Sequence, residues 1–567
     1  MSVPAPIPSG SKDDKMEAGF APTHLPIVRE YGSRMGFVEI VDKALACDMR
    51  VGPGTILLAL VMNVLSGRSP LYRVEEFFRT RDVALLLGHE ISAEMLNDDA
   101  IGRVLDRIYE YGTWKIFSEV CVEAFRSYGI DASVVHHDTT SVSVWGEYAP
   151  APQDPLRITF GHSKDKRPDL KQFMISLLCV EGNLPCHGGI LDGNAADKKT
   201  NGKILDELPR IMARHGAKEF TYVADAALAT KENLSLMGDD IRFITRLPAN
   251  FGACGRLIST AVASGSWQDV GQLSHRRVKG NEVCAGYRLR ELRTDIYGRT
   301  YRAIVVHSDV HDRRRQKRIG KAIEKDAREM VERAGALSRK EFFCLPDAQG
   351  AVKAFKTGAL HEVSCSFESR PVYGRGRPKK GGIRLVKDLR HRVVIEVRQN
   401  KEAIEKLREE AGCFVLLTNV PDEEKSGIDI LKTYKEQDGI ERNFGFLKDP
   451  LVANDVFLKT PRRIEAMGLV LVLSLLLWRL MERAMRRKAA NEHLTLQGWN
   501  NGDTLKPTSF MMVSKFSPVF VGVRDNKRFL FAPLTKVQLA YLVALDVHPA
   551  IFTEMAPKAG DMRSRAP

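Results

Sequence analysis

The order of strand-like and helix-like segments after residue 129 is the feature that most limits how this chain can fold. The run ASVVHHDTTSVSVW (132–145) alternates and is rich in β-branched residues. Three short apolar runs follow at 173–180, 220–225 and 241–247, and a helical pattern at 199–216 lies between the first two of them. Strands followed by alternating helix and strand favour an α/β domain with a mixed sheet.

The rest of the chain differs in pattern from this core. Before residue 129 the patterns are helical, as in VGPGTILLALVMNVLSG. From about 250 to 412, strand-like runs, one highly charged helix near 313–335 and the loop GRGRPKKGG favour an inserted, mainly β subdomain. The core pattern resumes at CFVLLTNV (413–420). We expect a disordered tail (1–20), a helical N-terminal domain (21–128), the first part of the core (129–249), the insertion (250–412), the second part of the core (413–490) and a C-terminal extension (491–567).

The charge of the 567-residue chain points toward an anionic partner. Lys and Arg number 85 against 71 Asp and Glu, giving a net charge of +14, and the excess is gathered in clusters. Nucleic acid is the first polyanion to consider. A basic surface that only aids solubility explains the charge equally well, so charge alone leaves both interpretations open.

The cysteines, the N-terminus and the longest apolar run indicate the compartment. The nine cysteines are odd in number and never form Cys-x-x-Cys, which predicts a reducing compartment and no structural zinc. The N-terminal tail lacks the apolar core of a signal peptide. The run MGLVLVLSLLLW (467–478) is too short to span a bilayer. We therefore expect it to form a buried helix in a folded, soluble protein.

The stretch YKEQDGIERNFGFLK (434–448) predicts a helix whose polar and apolar faces are adjacent. Tyr434, Glu441 and Lys448 are spaced by almost two full helical turns, and Gln437 lies close to the same face. The apolar stripe that would dock on a core consists of Ile440, Phe444, Leu447 and Leu451. Such a helix either places Glu441 as a metal ligand at a domain edge or is an amphipathic helix with a solvated, charged rim.

Two further acids lie on predicted strands. Asp138 is inside the β-branched run, and Asp225 ends the strand FTYVAD, where the carboxyl end of a strand meets the usual ligand crevice of a sheet. Either acid alone can instead satisfy a turn, and Asp225 can cap the next helix. Together with Glu441, they supply the oxygen ligands that two hard divalent cations require. Such cations activate water or a 3′-hydroxyl and stabilise the leaving oxygen of a phosphodiester.

These residues, in this order, resemble the DDE transposases of bacterial insertion sequences, in the branch with a Tyr-x2-Arg-x3-Glu-x6-Lys signature. The three acids follow the order of that family on an interrupted α/β core, and the stretch 434–448 has the spacing of the signature. The resemblance covers residues 20–535. Further matching motifs are GHSKDKRPDLKQ (161–172), LDGNAADKKT (191–200), VADAALATKENL (223–234) and FGFLKDP (444–450).

The resemblance implies an RNase H-like catalytic core with a β-rich insertion between the second Asp and the Glu. It implies that Asp138, Asp225 and Glu441 bind two Mg²⁺ ions, with Mn²⁺ as a substitute, and catalyse cleavage at the transposon ends and strand transfer by the freed 3′-OH. Tyr434 and Lys448 would contact the DNA backbone near the cut. Gln437 stands where the signature has Arg; its amide can hydrogen-bond a phosphate but brings no charge.

The resemblance also implies the partners and the location. The partner is double-stranded DNA, both as terminal inverted repeats and as target, and the helical domain 21–128 would recognise the ends. A homodimer would form in the synaptic complex, in the bacterial cytoplasm at the nucleoid and away from the membrane. Two other functions use the same acids or fold: a DNA nuclease without strand transfer, and a catalytically inactive DNA-binding derivative.

Additional DNA contacts are predicted from basic and aromatic residues. Arg375 and Arg377 in GRGRPKK resemble a minor-groove arm, although a solvated, flexible loop fits the same composition. The run HDRRRQKR (311–318) is either a phosphate-binding face or the charged side of a helix. Trp267 is a candidate for stacking on an unpaired base or for a core position. Histidines beside a strand acid, as at Asp138, are more often packed than catalytic.

Overall fold

The computed structural model describes residues 18–67, 69–148, 156–164, 167–278, 281–376, 382–448 and 460–555. The chain folds as two units. Unit 1 comprises Met1–Ile244 and Thr433–Pro567, and unit 2 comprises Thr245–Lys432. The expected α/β class is confirmed, because both helices and a large mixed sheet are present.

The described α-helices are α1 (Leu25–Arg34), α2 (Phe37–Ala44), α3 (Pro53–Leu65), α4 (Val74–Arg79), α5 (Val83–Leu87), α6 (Asp98–Tyr111), α7 (Thr113–Tyr128), α8 (Asp197–Arg214), α9 (Lys231–Met237), α10 (Gly252–Ser264), α11 (Asp309–Ser338), α12 (Leu345–Lys353), α13 (Lys401–Glu409), α14 (Gly427–Lys435), α15 (Asp438–Leu447), α16 (Pro461–Asn491), α17 (Ser509–Phe516) and α18 (Lys536–Ala544).

The described strands are β1 (Ala18–Phe20), β2 (Val134–Val144), β3 (Lys171–Val180), β4 (Leu184–Leu191), β5 (Thr221–Ala224), β6 (Arg242–Arg246), β7 (Gln268–Val278), β8 (Asn281–Ile296), β9 (Arg299–Ser308), β10 (His361–Tyr373), β11 (Val386–Gln399), β12 (Cys413–Thr418), β13 (Leu496–Gln497), β14 (Asp503–Thr504), β15 (Val521–Arg524) and β16 (Lys527–Leu530).

The sheet of unit 1 has the strand order β4-β3-β2-β5-β6. β2 pairs antiparallel with β3, and β3 pairs antiparallel with β4. On its other side β2 pairs with β5 in parallel. β3 is buried along almost its whole length, as expected for a strand that has other elements on both faces of the sheet. The mixed sheet predicted from the alternation after residue 129 is therefore confirmed.

Helix α16 is the central helix of unit 1. It packs against α3, α6, α7 and β4, and the guanidinium of Arg463 forms a bidentate pair with Asp106 on α6, at 2.8 and 2.7 Å. Among the described helices it alone is long and apolar enough to cross a membrane by length and composition, but 94% of its apolar window is buried inside the protein. A helix that is apolar all round and covered by protein is a core helix, so the buried helix expected at 467–478 is confirmed.

Unit 2 contains an antiparallel run of strands in the order β12-β9-β8-β7. β12 is the run CFVLLTNV, at which the sequence pattern had resumed the core, and here it pairs with β9. The charged helix expected near 313–335 is α11, which is 30 residues long. β10 and β11 form a separate two-stranded ribbon.

Candidate carboxylate site in unit 1

Asp138 and Asp225 lie at the same level on neighbouring parallel strands. Val134 pairs with Thr221 and His136 with Val223, and the same offset carried two residues further matches Asp138 to Asp225. Adjacent strands are about 4.8 Å apart, and side chains alternate between the two faces of a sheet. Asp225 keeps an extended backbone, with φ −69° and ψ −178°, so both acids project from the same face.

A lysine accompanies Asp138. The Oδ1 of Asp138 accepts a hydrogen bond from the Thr139 N–H at 2.7 Å and lies 3.6 Å from the Nζ of Lys164. Lys164 also donates to the Thr139 carbonyl, and its own N–H donates to Ser141 Oγ at 3.0 Å. No role for Lys164 was predicted from the sequence, although this lysine lies in the motif GHSKDKRPDLKQ, because nothing in the local pattern relates it to β2.

Asp225 caps the turn that follows β5. Its Oδ1 accepts from the Ala227 N–H at 3.0 Å at the start of a short 3-10 turn, Ala226–Leu228. The capping interpretation of this acid is therefore confirmed. Capping does not compete with metal binding, because an ionised carboxylate offers about four acceptor positions and this bond uses one of them.

The opposite face of these strands carries a buried polar cluster. His137 is 2% exposed; its Nδ1 lies 2.8 Å from Asn201 Oδ1 and 2.8 Å from the Tyr222 hydroxyl, and its Nε2 lies 3.0 Å from Ser176 Oγ. This histidine is packed and hydrogen-bonded, as expected. Burial, with smaller contributions from the negative charges of the two strand acids, holds the pKa of Tyr222 well above its usual range.

The prediction of a single helix over 434–448 is wrong, because a turn at residues 436–437 interrupts the helix between α14 and α15. Lys435 ends α14 and Asp438 begins α15. Across the break the Gln437 N–H bonds to the Tyr434 carbonyl at 3.2 Å and the Ile440 N–H to the Gln437 carbonyl at 3.0 Å, a 3-10 pattern with three residues per turn. Tyr434 therefore belongs to another helix than Glu441, and the shared face extends only from Glu441 to Lys448.

A close contact at Gly439 accompanies the break. A Cβ at this position would overlap the side-chain amide of Asn183, in the turn Glu181–Asn183 after β3. The contact holds the start of α15 against that turn. At Gly445, in contrast, a Cβ would meet nothing within 4 Å, so this glycine has no such role.

Helix α15 packs against β2. The predicted apolar stripe is confirmed for Ile440, Phe444 and Leu447, which are 0%, 7% and 0% exposed, whereas Leu451 lies outside the described residues. The side-chain amide of Gln437 approaches the carbonyl oxygen of His137, next to Asp138, at 3.5 Å. Glu441 follows one helical turn later and is exposed.

The three acids do not form one preassembled ligand set. Asp138 and Asp225 are aligned, and the helix of Glu441 packs against the strand of Asp138. Within the described residues, however, no group of three or more His, Cys, Asp and Glu side chains stands close enough to hold one metal ion.

A buried polar network fixes α15 to the rest of unit 1. The Asn443 amide donates to the Asn183 carbonyl at 2.8 Å and to Cys179 Sγ at 3.3 Å. Arg479 on α16 donates to Asn443 Oδ1 at 2.7 Å and to Glu482 at 2.8 Å. Burial raises the pKa of the Cys179 thiol to about 12. Arg479 and Glu482 lie just after the apolar run 467–478, and the pairing of charges inside a core is not visible in a local sequence pattern.

The residues predicted to contact DNA are divided between the units. Tyr434 and Lys448 are half-buried in unit 1, and Lys448 is the C-cap residue of α15. Arg375 is exposed in unit 2, and Arg377 lies outside the described residues. Trp267 is half-buried, and its ring centroid lies 5.0 Å from the guanidinium of Arg288.

Comparison with known families reaches only the N-terminal helices. Residues 21–122 match a family described as a domain of unknown function (DUF4277). No curated protein compared with the chain matches it. The matched region ends within α7, before β2, so it does not include any of the three acids.

Proposed function

We propose that this chain is the DNA transposase of a bacterial insertion sequence, which acts on double-stranded DNA in the cytoplasm at the nucleoid. It binds terminal inverted repeats, cleaves phosphodiester bonds with divalent metal and joins the freed 3′-OH to target DNA. One observation carries the proposal: the register of β2 and β5 that aligns Asp138 with Asp225, together with the packing of the helix of Glu441 against β2.

The topology of unit 1 supports the proposal. In its sheet, β2, β3 and β4 are antiparallel in sequence order. β5 then pairs in parallel with β2, on the side of β2 that β3 does not occupy. This order is compatible with the RNase H-like core that the resemblance implies. It also brings the carboxyl end of β5 level with the middle of β2, which is what places two acids side by side.

The donor chemistry of the acids suits Mg²⁺. Asp138, Asp225 and Glu441 offer carboxylate oxygens, the ligands that Mg²⁺ and Mn²⁺ prefer. Bound there, two ions would supply activation of the attacking hydroxyl and stabilisation of the leaving 3′-oxygen. The register of the sheet aligns the two strand acids, and Glu441, which is exposed on α15, would join them when the metal ions bind.

Other residues of the chain would hold the DNA. The ammonium of Lys164, next to Asp138, would pair with a phosphate oxygen near the cut. Tyr434 and Lys448 would contact the backbone on either side of Glu441, as the resemblance implies. Gln437 would hydrogen-bond a phosphate without charge, so the contribution of this position is smaller than that of an arginine.

The test is a strand-transfer assay with the full-length protein. The substrates are DNA ends taken from the flanks of the gene, carrying a free 3′-OH, and a target plasmid, in Mg²⁺. We expect joined products, loss of joining in Asp138→Asn and Glu441→Gln, and retention of end binding by both variants. Asp438→Asn is the matched control, because Asp438 is an exposed acid on the same helix and should leave joining intact.

The outcomes separate the three functions. Cleavage without joined products would favour a nuclease, and binding without cleavage would favour an inactive derivative. Unchanged joining in Asp138→Asn would refute the assignment of this acid. Inverted repeats bounded by short direct duplications in the DNA around the gene would support transposition independently of any assay.

A further inference from the structure

The ribbon of β10 and β11 changes character along its length. Near its base, the burial of β10 alternates from residue to residue, as in a strand with one covered face. From Ser366 to Tyr373 every residue of β10 is exposed, and so are Val386–Leu389 on β11. Opposite Ser366–Arg370, however, β11 is partly covered, and Val393 is completely buried. Only the end of the ribbon, where Pro371–Tyr373 pair with Val386–Leu389, has two uncovered faces, over about 10 Å at 3.3 Å per residue.

We expect the uncovered end of this two-stranded ribbon to bind a partner. Isolated hairpins are at best marginally stable in water. Here the base is braced by backbone hydrogen bonds between Phe342 and His391, both 2.9 Å long. At the tip, Ile383 and Leu385 are 95% and 85% exposed. A covered base and an uncovered, partly apolar tip are typical of an element that becomes buried in a complex.

The charge of the ribbon identifies the partner. Between residues 370 and 392 the sequence contains nine Lys and Arg and one acid, Asp388. Some of the cations are paired: Arg370 lies 3.5 Å from Glu368, and Arg390 lies 3.4 Å from Asp388.

Three cations remain available at the tip. Within the described part of the chain, no carboxylate lies within ion-pair distance of Arg375, Arg384 or Lys387. Arg384 is held over the ring of Tyr373, 5.1 Å from its centroid. Among the described residues, the tip thus presents three cations that form no ion pair, and such a surface is complementary to a polyanion.

We infer that the exposed end of the ribbon, described at 371–376 and 382–389, is an arm that binds double-stranded DNA outside the cleavage site. This inference rests on the proposed function only in taking DNA as the partner. The major groove is about 12 Å wide and admits a two-stranded β-ribbon. In that position the cations along both strands face the phosphates on either side of the groove. Arg375 then acts together with the strand residue Lys387 and with Arg384.

The salt dependence of DNA binding tests the arm. The full-length protein is titrated with an arbitrary 30-base-pair duplex over a series of salt concentrations, without divalent metal. Each phosphate contact contributes about 0.9 to the slope of log K against log salt. The triple variant Arg375→Gln, Arg384→Gln, Lys387→Gln should therefore lose about 2.7 from that slope and bind on the order of 100-fold more weakly at 0.1 M salt.

A second triple variant supplies the control. Lys353, Lys401 and Lys406 are exposed on α12 and α13 of the same unit, and changing all three to glutamine removes the same charge away from the ribbon. Its slope should stay within about 1 of the wild-type value. The melting temperatures of both variants should match that of the wild type, because substitutions at exposed positions away from caps and ion-pair networks have little effect on stability.

Each result decides the inference. An unchanged slope in the ribbon variant, an equal loss in the control, tighter binding to single strands than to the duplex, or absence of binding by the wild type would overturn it. The inference would also be overturned if the ribbon variant lost binding to anionic lipid vesicles but kept its binding to DNA. The proposed function is judged separately. If the ribbon variant keeps the wild-type slope and the wild type is active in strand transfer, only the arm inference is refuted. If the ribbon variant has a reduced slope but the wild type does not cleave DNA, only the transposase proposal is refuted.

Discussion

Replacing Gly439 with alanine should destabilise the protein, whereas the same change at Gly445 should stabilise it. Both glycines lie in α15, where alanine gains up to about 1 kcal/mol in helix propensity. At Gly445 a Cβ meets nothing, so the gain is realised. At Gly439 the Cβ overlaps the Asn183 amide, and forced overpacking costs about 1–3 kcal/mol. The net expectation is a loss of about 1–2 kcal/mol at Gly439.

The reason for this loss can be tested by removing the obstacle. Asn183 has a positive φ of 62°, which glycine adopts readily, so Asn183→Gly removes the amide without straining the turn. In urea unfolding followed by circular dichroism, the double variant should recover most of the stability lost in Gly439→Ala. Equal stability of the two single alanine variants, or a double variant no better than Gly439→Ala, would refute the proposed contact.

Two other predictions concern the site and the core. Lys164→Met should lower the rate of DNA cleavage on the order of 100-fold, because the variant lacks a cation that stabilises the developing charge on the phosphate. Its melting temperature should barely change, because a half-exposed ion pair contributes about 0–1 kcal/mol. An unchanged cleavage rate would contradict this role of Lys164. His24, whose pKa is lowered to about 4 by complete burial, stays neutral when folded but is protonated below about pH 6.5 when unfolded. Its contribution is therefore complete above pH 6.5 and lost as pH falls toward 4, by about 3 kcal/mol in total. His24→Gln can still donate to the Leu65 carbonyl without titrating, so urea unfolding at pH 7 and pH 5 should show about 2 kcal/mol less pH dependence than the wild type; an equal dependence would rule out His24 as the cause.

The elements that the sequence predicted well are those with a strong local pattern. The runs 173–180, 220–225 and 241–247 became β3, β5 and β6 with small shifts at their ends. The apolar run of α16 was correctly expected to be buried. In each case the signal lies within one element, where periodicity and composition reflect burial directly.

The features that the sequence did not predict depend on contacts between distant segments. The break at Gln437 accompanies the contact of Gly439 with Asn183, which lies far earlier in the chain. Lys164 reaches Asp138 through the fold of a loop. The types and the order of the acids Asp138 and Asp225 are visible in the sequence. Their alignment depends on the register of β2 with β5, which no local pattern contains.

The core helix α16 also affects how the protein matures during synthesis. The N-terminal helices α3, α6 and α7 pack on it, but the ribosome produces it only after all of unit 2. Until then the sides of these helices that α16 covers stay exposed, and such exposed apolar surface promotes aggregation. We therefore expect that the region 21–122 does not fold stably by itself. Products of genes truncated before Pro461 should be cleared or precipitate, and should not persist as free N-terminal domains.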